Sequence, residues 1–332
     1  MLIKKITIIL LIKGRPDFTE RWLNYVNDNF NHVNVIIADG SIEKEKYVIS
    51  KDSFPNINIH SPNFPYDIDI RTFQNKILES INLIKTDYVC MMSNDDFIFK
   101  DSFESIIKFL DKNPEYNAGR GDVFDFAINS INPKKNIYGN IYSIHKLYHS
   151  KGFDENNAIE RLVGFKKFPN GLWHCIIRTN VLKEAVAKSI TYKISSLQIL
   201  ENLITFYIVI SGKVYFDLSL YLLHQVHSEM QTISKTFKSF ETEIEQDKES
   251  YEGFIKILME LLLNKKELDP CEAKKLLIEV SKKLKRIEIN ENILSKLFKK
   301  IKIKIAKILK YNPYLLFTLI NIKLKLVPYK SR

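Results

Sequence analysis

The sequence predicts an α/β protein: a mainly parallel sheet flanked by helices, followed by a helical, basic C-terminal extension. Three observations lead there. Strand-like and helix-like segments alternate between Ile6 and Leu110, the rhythm of parallel strands joined by helical crossovers. Polar, turn-forming groups follow the strand-like runs, which is where such sheets take their ligands. With 10 Gly and 10 Pro in 332 residues, the chain is rich in regular elements and poor in flexible linkers.

Each element has its own local reason. Ile6–Ile12 is a continuous apolar run of strand length. Asp17–Asn29 is helical, since Phe18, Trp22, Tyr25 and Val26 share a face and Pro16 stands at the entry. Val33–Ala38 is β-branched and ends in Asp39-Gly40-Ser41, and Ile57–His60 is a short third strand. Ile70–Ile84 places Phe73, Ile77, Ile81 and Ile84 at helical spacing. Tyr88–Met92 is a buried strand running into Ser93-Asn94-Asp95-Asp96, and Ser102–Leu110 is a helix with Pro114 beyond it. Ala118–His149 reads as strands and loops, Gly171–Ile177 as a strand and Val181–Lys188 as a helix. Ser196–Gly212 is a helix closed by its glycine, Val214–Tyr221 a strand, and residues 232–295 are helical in pattern.

Charge separates the body from the tail. From Lys296 to Arg332 there are eleven Lys and Arg and no acid; the other 39 basic residues equal the 39 acidic ones. The whole excess of +11 therefore sits at the end of the chain. Leu297, Ile301, Ile305 and Ile308 share a helical face there, beside Lys300, Lys304 and Lys307. Apolar anchors with lysines and no acids describe an interfacial membrane helix, drawn to an anionic leaflet. A packing or oligomerisation helix is the structural alternative. Nucleic acid is not the expected partner, because base-stacking motifs are absent. No run approaches the ~20 apolar residues of a membrane span, and the N-terminus lacks a signal-peptide pattern. The expectation is a cytoplasmic protein, peripheral on the inner face of the membrane. Three segments follow: a body at 1–230, a helical extension at 231–295 and the basic tail at 296–332. Cys90, Cys175 and Cys271 have neither zinc spacing nor a disulfide framework, so buried thiols are expected.

Chemistry concentrates in a few places. Asn94, Asp95 and Asp96 follow a buried strand; carboxylates so placed suit Mg²⁺ or Mn²⁺ bridging a protein to a diphosphate, and equally suit an Asx turn capping the next helix. Glu201 is the one acid in the stretch from Val186 to Tyr215, a setting for a general base or for the polar face of a helix. Trp173 and His174 stand in a hydrophobic run; the tryptophan suits sugar stacking or core packing. His224 and His227 have the spacing of a metal pair or of a solvated loop. There is no P-loop, no GxGxxG fingerprint, no GxSxG elbow and no HExxH.

This ordered series resembles the GT-A glycosyltransferases, especially those similar to glycosyltransferase family 2, over roughly residues 3–228. Ile8–Pro16, with Lys13 and Arg15, resembles the opening strand and nucleotide-contacting loop. Asp39 matches the aspartate near base and ribose, and Arg71 and Asn75 match an Arg-x-x-x-Asn spacing before the DxD strand. Asn94 and Asp96 fall on the two acidic positions of DxD, with Asp95 between them. The resemblance implies a nucleotide-diphosphate sugar donor held by Lys13, Arg15, Asp39, Arg71, Asn75, Asn94 and Asp95. It implies a Mg²⁺ or Mn²⁺ ion on Asp96 and His227, an acceptor at Trp173 and His174, and Glu201 as the base of an inverting transfer. The implied acceptor is a glycan or a lipid-linked saccharide. Two departures stand out: Asn94 brings no charge where an aspartate is usual, and Asn202 follows Glu201 where a Glu-Asp pair is usual. A catalytically silent nucleotide-sugar-binding relative and a surface adaptor are the competing classes.

Overall fold

The computed structural model describes residues 2–132, 135–147, 151–167, 169, 171–226, 240–265 and 268–282. In chain order the elements are β1 (Ile6–Ile12), α1 (Pro16–Asn29), β2 (Asn34–Asp39), β3 (Asn58–His60), α2 (Ile70–Asn82) and β4 (Tyr88–Ser93). Then come β5 (Phe97–Ile98), α3 (Lys100–Lys112), β6 (Tyr116–Asn132), β7 (Lys135–Lys146), α4 (Ala158–Lys167) and β8 (Ile176–Arg178). The remainder is α5 (Thr179–Thr191), α6 (Leu197–Ser211), β9 (Lys213–Gln225), α7 (Phe240–Gln246), α8 (Lys248–Leu263) and α9 (Pro270–Lys282).

One sheet runs in the order β3-β2-β1-β4-β8-β6-β9-β5, with β7 paired to β6. Its first four strands are mutually parallel, as the alternation of elements requires. Register decides the next level: Ile12 lies opposite Asp39, and Leu11 opposite Ser93. The loops leaving β1, β2 and β4 therefore emerge side by side. β8 turns the sheet antiparallel, whereas β6 and β9 run parallel to each other.

Both faces of the parallel block are covered. Ile9, Ala38, Val89 and Met91 enter a core with α2, α4, α5, α6 and α8; Ile8, Leu10, Val35, Ile37, Cys90 and Met92 enter the other with α1 and α3. Alternate side chains leave a strand on opposite faces, so an unbroken apolar run is what a doubly covered strand needs. Helix α6 is apolar nearly all round because α4, α5 and α8 enclose it; Arg161 hydrogen-bonds the carbonyls of Val209 and Ile210 in its last turn.

The described helices of the extension pack onto the body. Phe254, Ile257 and Leu258 of α8 and Leu277 of α9 share a core with Leu203 and Phe206 of α6. Lys188 pairs with Glu260 at 2.7 Å, and Ser195 Oγ donates to Asp247. Gly253 permits this approach, since a Cβ there would lie 2.7 Å from the Tyr192 carbonyl oxygen. No helix among the described residues is long and apolar enough to cross a membrane. The basic tail lies outside the described residues.

Several local expectations change. Gly171–Cys175 is a turn, not a strand: Leu172 N–H donates to Thr205 Oγ1 and Cys175 N–H to the Leu172 carbonyl, which leaves three residues for β8. The middle of the chain is the pair β6 and β7, with register shifts. Helix α4 and the two-residue β5 carry too little periodic signal to be read locally. Cys90 and Cys175 are buried, but Cys271 is exposed at the start of α9.

Candidate functional site

The loop after β1 places consecutive residues in the left-handed region, Gly14 at φ 69° and Arg15 at φ 60°. Such a φ is costly for an arginine, and its side chain shows what holds it. Arg15 Nη1 donates to Asp95 Oδ2 and Nη2 to Asn94 Oδ1, each at 2.8 Å. Asn94 Nδ2 answers by donating to the Arg15 carbonyl at 3.3 Å and to Thr19 Oγ1 at 3.0 Å. Both ends of the buried Asn94 amide are thus used within the fold. An aspartate would place a third buried carboxylate beside Asp95 and Asp96 and could not donate to the Arg15 carbonyl. Asn94→Asp is therefore expected to lower stability by roughly 1–3 kcal/mol with no gain in nucleotide affinity. Denaturant midpoint and calorimetric titration check both parts.

A second cluster lies at the end of β2. Asp39 Oδ1 accepts from Ser41 N–H at 2.9 Å and from the Ser41 hydroxyl, and Oδ2 from Tyr47 N–H. Ser41 Oγ also accepts from Gly14 N–H at 2.6 Å, which ties the β1 and β2 loops together. Lys13 Nζ donates to the Asp67 carbonyl and lies 4.7 Å from the Tyr66 ring centre. The Asp67 carboxylate meets Lys76 Nζ at 2.5 Å, with 7% and 1% of their side chains exposed. Burial pushes the Lys76 pKa down, and Asp67 offsets that only in part. A Cβ on Gly40 would fall 2.1 Å from the Asp67 carboxylate, so glycine is required where this pair crosses the strand end. Arg71 and Asn75 lie on the exposed side of α2, and among the described residues no hydrogen bond joins them to these clusters; Lys76 is an α2 residue that reaches the strand ends.

Asp96 is the centre of a third group. Its Oδ1 accepts from Gln225 N–H at 3.2 Å. Oδ2 is fully buried without a hydrogen bond among the described residues, and the nearest basic atom is His174 Nε2 at 3.7 Å. His174 Nδ1 lies 2.9 Å from the Met91 carbonyl oxygen, which can only accept. Burial pushes the His174 pKa down to about 4, although 23% of its side chain remains exposed. On the other flank, His224 Nδ1 lies 2.8 Å from Asp125 Oδ1, and His145 Nε2 3.3 Å from Asp125 Oδ2. Burial opposes charge on His224, yet Asp96 and the Asp125 hydrogen bond raise its pKa to about 9. Burial raises Asp96 in turn, with His224 pulling it back. Buried Arg21 braces the group: Nη2 donates to Gln225 Oε1 at 2.8 Å and to the Asp95 carbonyl at 3.2 Å.

These residues fit a divalent ion in part. No three His, Cys, Asp or Glu side chains form a complete cage among the described residues. The orphaned Asp96 Oδ2 is nevertheless a hard oxygen donor left over after all other bonding, and ions that bridge to diphosphates need few protein ligands. His227 lies outside the described residues.

Trp173 stacks on Phe73 at 6.4 Å with 14° between the planes, joining the 171–175 turn to α2. Glu201, partly buried on α6, stands one helical turn before Thr205, the residue that anchors Leu172. Residues four apart share a helix face, so Glu201 is on the side of α6 that carries the Trp173 turn. A separate concavity of about 530 Å³ opens at the start of β4, lined by Tyr88, Asp111, Arg178 and Lys183. It lies at the opposite end of the strands from the three loops, which is the end where such sheets do not bind ligands.

Local reading missed Arg21, Asp67, Lys76, Asp125 and His145. Two left a trace: Arg21 falls between Phe18 and Trp22 on the apolar face of α1, and Lys76 between Phe73 and Ile77 on that of α2. Charges in those positions are buried only when paired.

No family model matches the chain, and no curated protein matches it in sequence. Among solved structures, that of S. aureus TarS is similar with TM-score 0.50 and 11% identity, over 86% of this chain and 46% of that one, so this chain spans about half its length. The TarS fragment 1-349 gives 0.49 at 10% identity, over 84% and 71% of the two chains. Its complex with UDP-GlcNAc gives 0.49 at 13%, over 84% and 72%. At these identities the likeness is one of architecture: the chain has the fold of S. aureus TarS, the GT-A type of α/β arrangement that the order of its motifs implied.

Proposed function

We propose that this chain is a glycosyltransferase similar to family 2, transferring a hexosyl unit from a nucleotide-diphosphate sugar to an acceptor hydroxyl. The observation that carries the reading is the convergence, at adjacent parallel strand ends, of Lys13 and Arg15 with Asp39, Asp95 and Asp96. Asp39 takes the nucleoside side, with Arg71 and Asn75 on the rim. Lys13 and Arg15 offset diphosphate charge, and Asn94 and Asp95 hold Arg15 in place. A Mg²⁺ or Mn²⁺ ion on Asp96, when bound, offsets charge on the leaving group. Glu201 removes the acceptor hydroxyl proton, the oxygen bonds to the anomeric carbon, and the bond to the diphosphate breaks on the opposite face. That course inverts the anomeric centre. Trp173 and His174 line the acceptor side. Residues 296–332 bring the enzyme to an anionic membrane surface inside the cell, where a glycan or lipid-linked acceptor is elongated.

A thermal-shift panel of UDP, GDP, CDP and dTDP, each with Mn²⁺ and with chelator, tests it. A ligand at ~100 times its Kd stabilises by about 2.7 kcal/mol. One nucleotide is expected to raise the Tm, and Asp39→Ala to remove the shift. No shift with any nucleotide, in folded protein, rules the reading out.

A further inference from the structure

The geometry points to Asp96 Oδ2 and His174 Nε2 as two protein ligands of one divalent cation, a site that does not include Asn94. The inference deepens the transferase reading and rests on it for the rest of the coordination shell, which a nucleoside diphosphate would supply.

Four observations carry it. Asp96 is buried, and its Oδ1 is spent on Gln225 N–H, so only Oδ2 remains. His174 Nδ1 faces a carbonyl oxygen at 2.9 Å, which makes Nδ1 the protonated nitrogen and leaves the Nε2 lone pair as an acceptor. That lone pair and Oδ2 are 3.7 Å apart, beyond hydrogen-bond reach. Two acceptors facing each other repel unless a proton or a cation lies between them, and an ion ~2.1 Å from each spans the gap. Finally, Asn94 has no atom to spare, because Arg15 and Thr19 occupy both ends of its amide.

The supports around the pair suit this role. A carbonyl on the far nitrogen fixes ring orientation and tautomer, as in most histidine–metal sites. The Met91 carbonyl belongs to β4, the strand that delivers Asp96, so one element aims both ligands. Arg21 holds Gln225 Oε1 and the Asp95 carbonyl, which sets the Asp96 carboxylate from both sides. His224 is engaged through Nδ1 with Asp125, on the other flank.

The test uses full-length protein with Mn²⁺ and the nucleotide found by the thermal-shift panel, or UDP if none is found. Pulsed electron paramagnetic resonance is expected to show one histidine nitrogen coupled to bound Mn²⁺. His174→Ala should abolish that coupling and weaken Mn²⁺ binding on the order of 100-fold. His174→Gln, which keeps a polar side chain beside Met91, serves if the alanine variant does not fold. His224→Gln should keep the coupling. The site is overturned if Mn²⁺ shows no nitrogen coupling, or if the coupling survives in the His174 variants. Nucleotide binding with Mn²⁺ present is read separately by calorimetric titration. If it is absent while the His174 coupling is present, the cation site stands and the transferase reading falls.

Discussion

Replacing Lys76 with methionine is expected to lower the Tm on the order of 10 °C. The ammonium is 1% exposed and meets Asp67 at 2.5 Å. Removing one partner of a buried pair leaves the other charged and unpaired, which costs about 3–5 kcal/mol. Asp67 already has one buried oxygen, Oδ1, with no hydrogen bond among the described residues, so it has little to fall back on. The pair as a whole is a different matter. Burial dominates the downward shift at Lys76, which says that attraction to Asp67 does not fully offset desolvation. The double variant Lys76→Met/Asp67→Asn should therefore recover much of the loss. Denaturant unfolding of the two variants beside the parent checks this; a double variant no more stable than the single one would mean that the pair contributes net stability. Either way, Lys76 also reaches the Ile12 carbonyl at 3.3 Å. Nucleotide affinity is expected to fall in both variants, because the strand ends lose one of the braces between them.

Glu201→Gln is expected to reduce turnover by about 10³-fold, within the 10²–10⁴ range of general-base catalysis, with nucleotide affinity unchanged. The exchange keeps the size of the side chain and removes its charge and its ability to take a proton, with one acceptor oxygen becoming a donor NH₂. On the proposed reading, its position on α6, a turn from the anchor of the Trp173 turn and far in sequence from the loops after β1, β2 and β4, separates proton removal from donor binding. Rates of sugar transfer and donor Kd, measured on the same preparation, decide it. A variant with parental turnover would move the base elsewhere, and one with weakened donor binding would place Glu201 on the donor side.

The two results depend on information of different range. Strands β1, β2 and β4 could be read from their apolar runs, because a doubly covered strand must be apolar on both faces. That their polar ends lie side by side could be read too, because it follows from parallel strand order alone. The tail's charge is a plain count of residues. Elsewhere, local signals were ambiguous or absent. Gly171–Ile177 has the composition of a strand, yet Thr205, more than thirty positions later in the chain, turns its first part into a bend.

What the sequence by itself determined is the parallel half of the sheet, the helices on its faces and the polar loops at the strand ends. Period, apolar run length and capping residues are local, so they survive without knowledge of the fold. The tertiary structure alone decided which polar groups share a volume. It set the Asp67–Lys76 pair under Gly40, the commitment of Asn94 to Arg15, and the arrival of Gln225 and His224 beside Asp96 through the parallel pairing of β6 with β9. Burial makes each of these partnerships necessary, and burial is a property of the assembled chain.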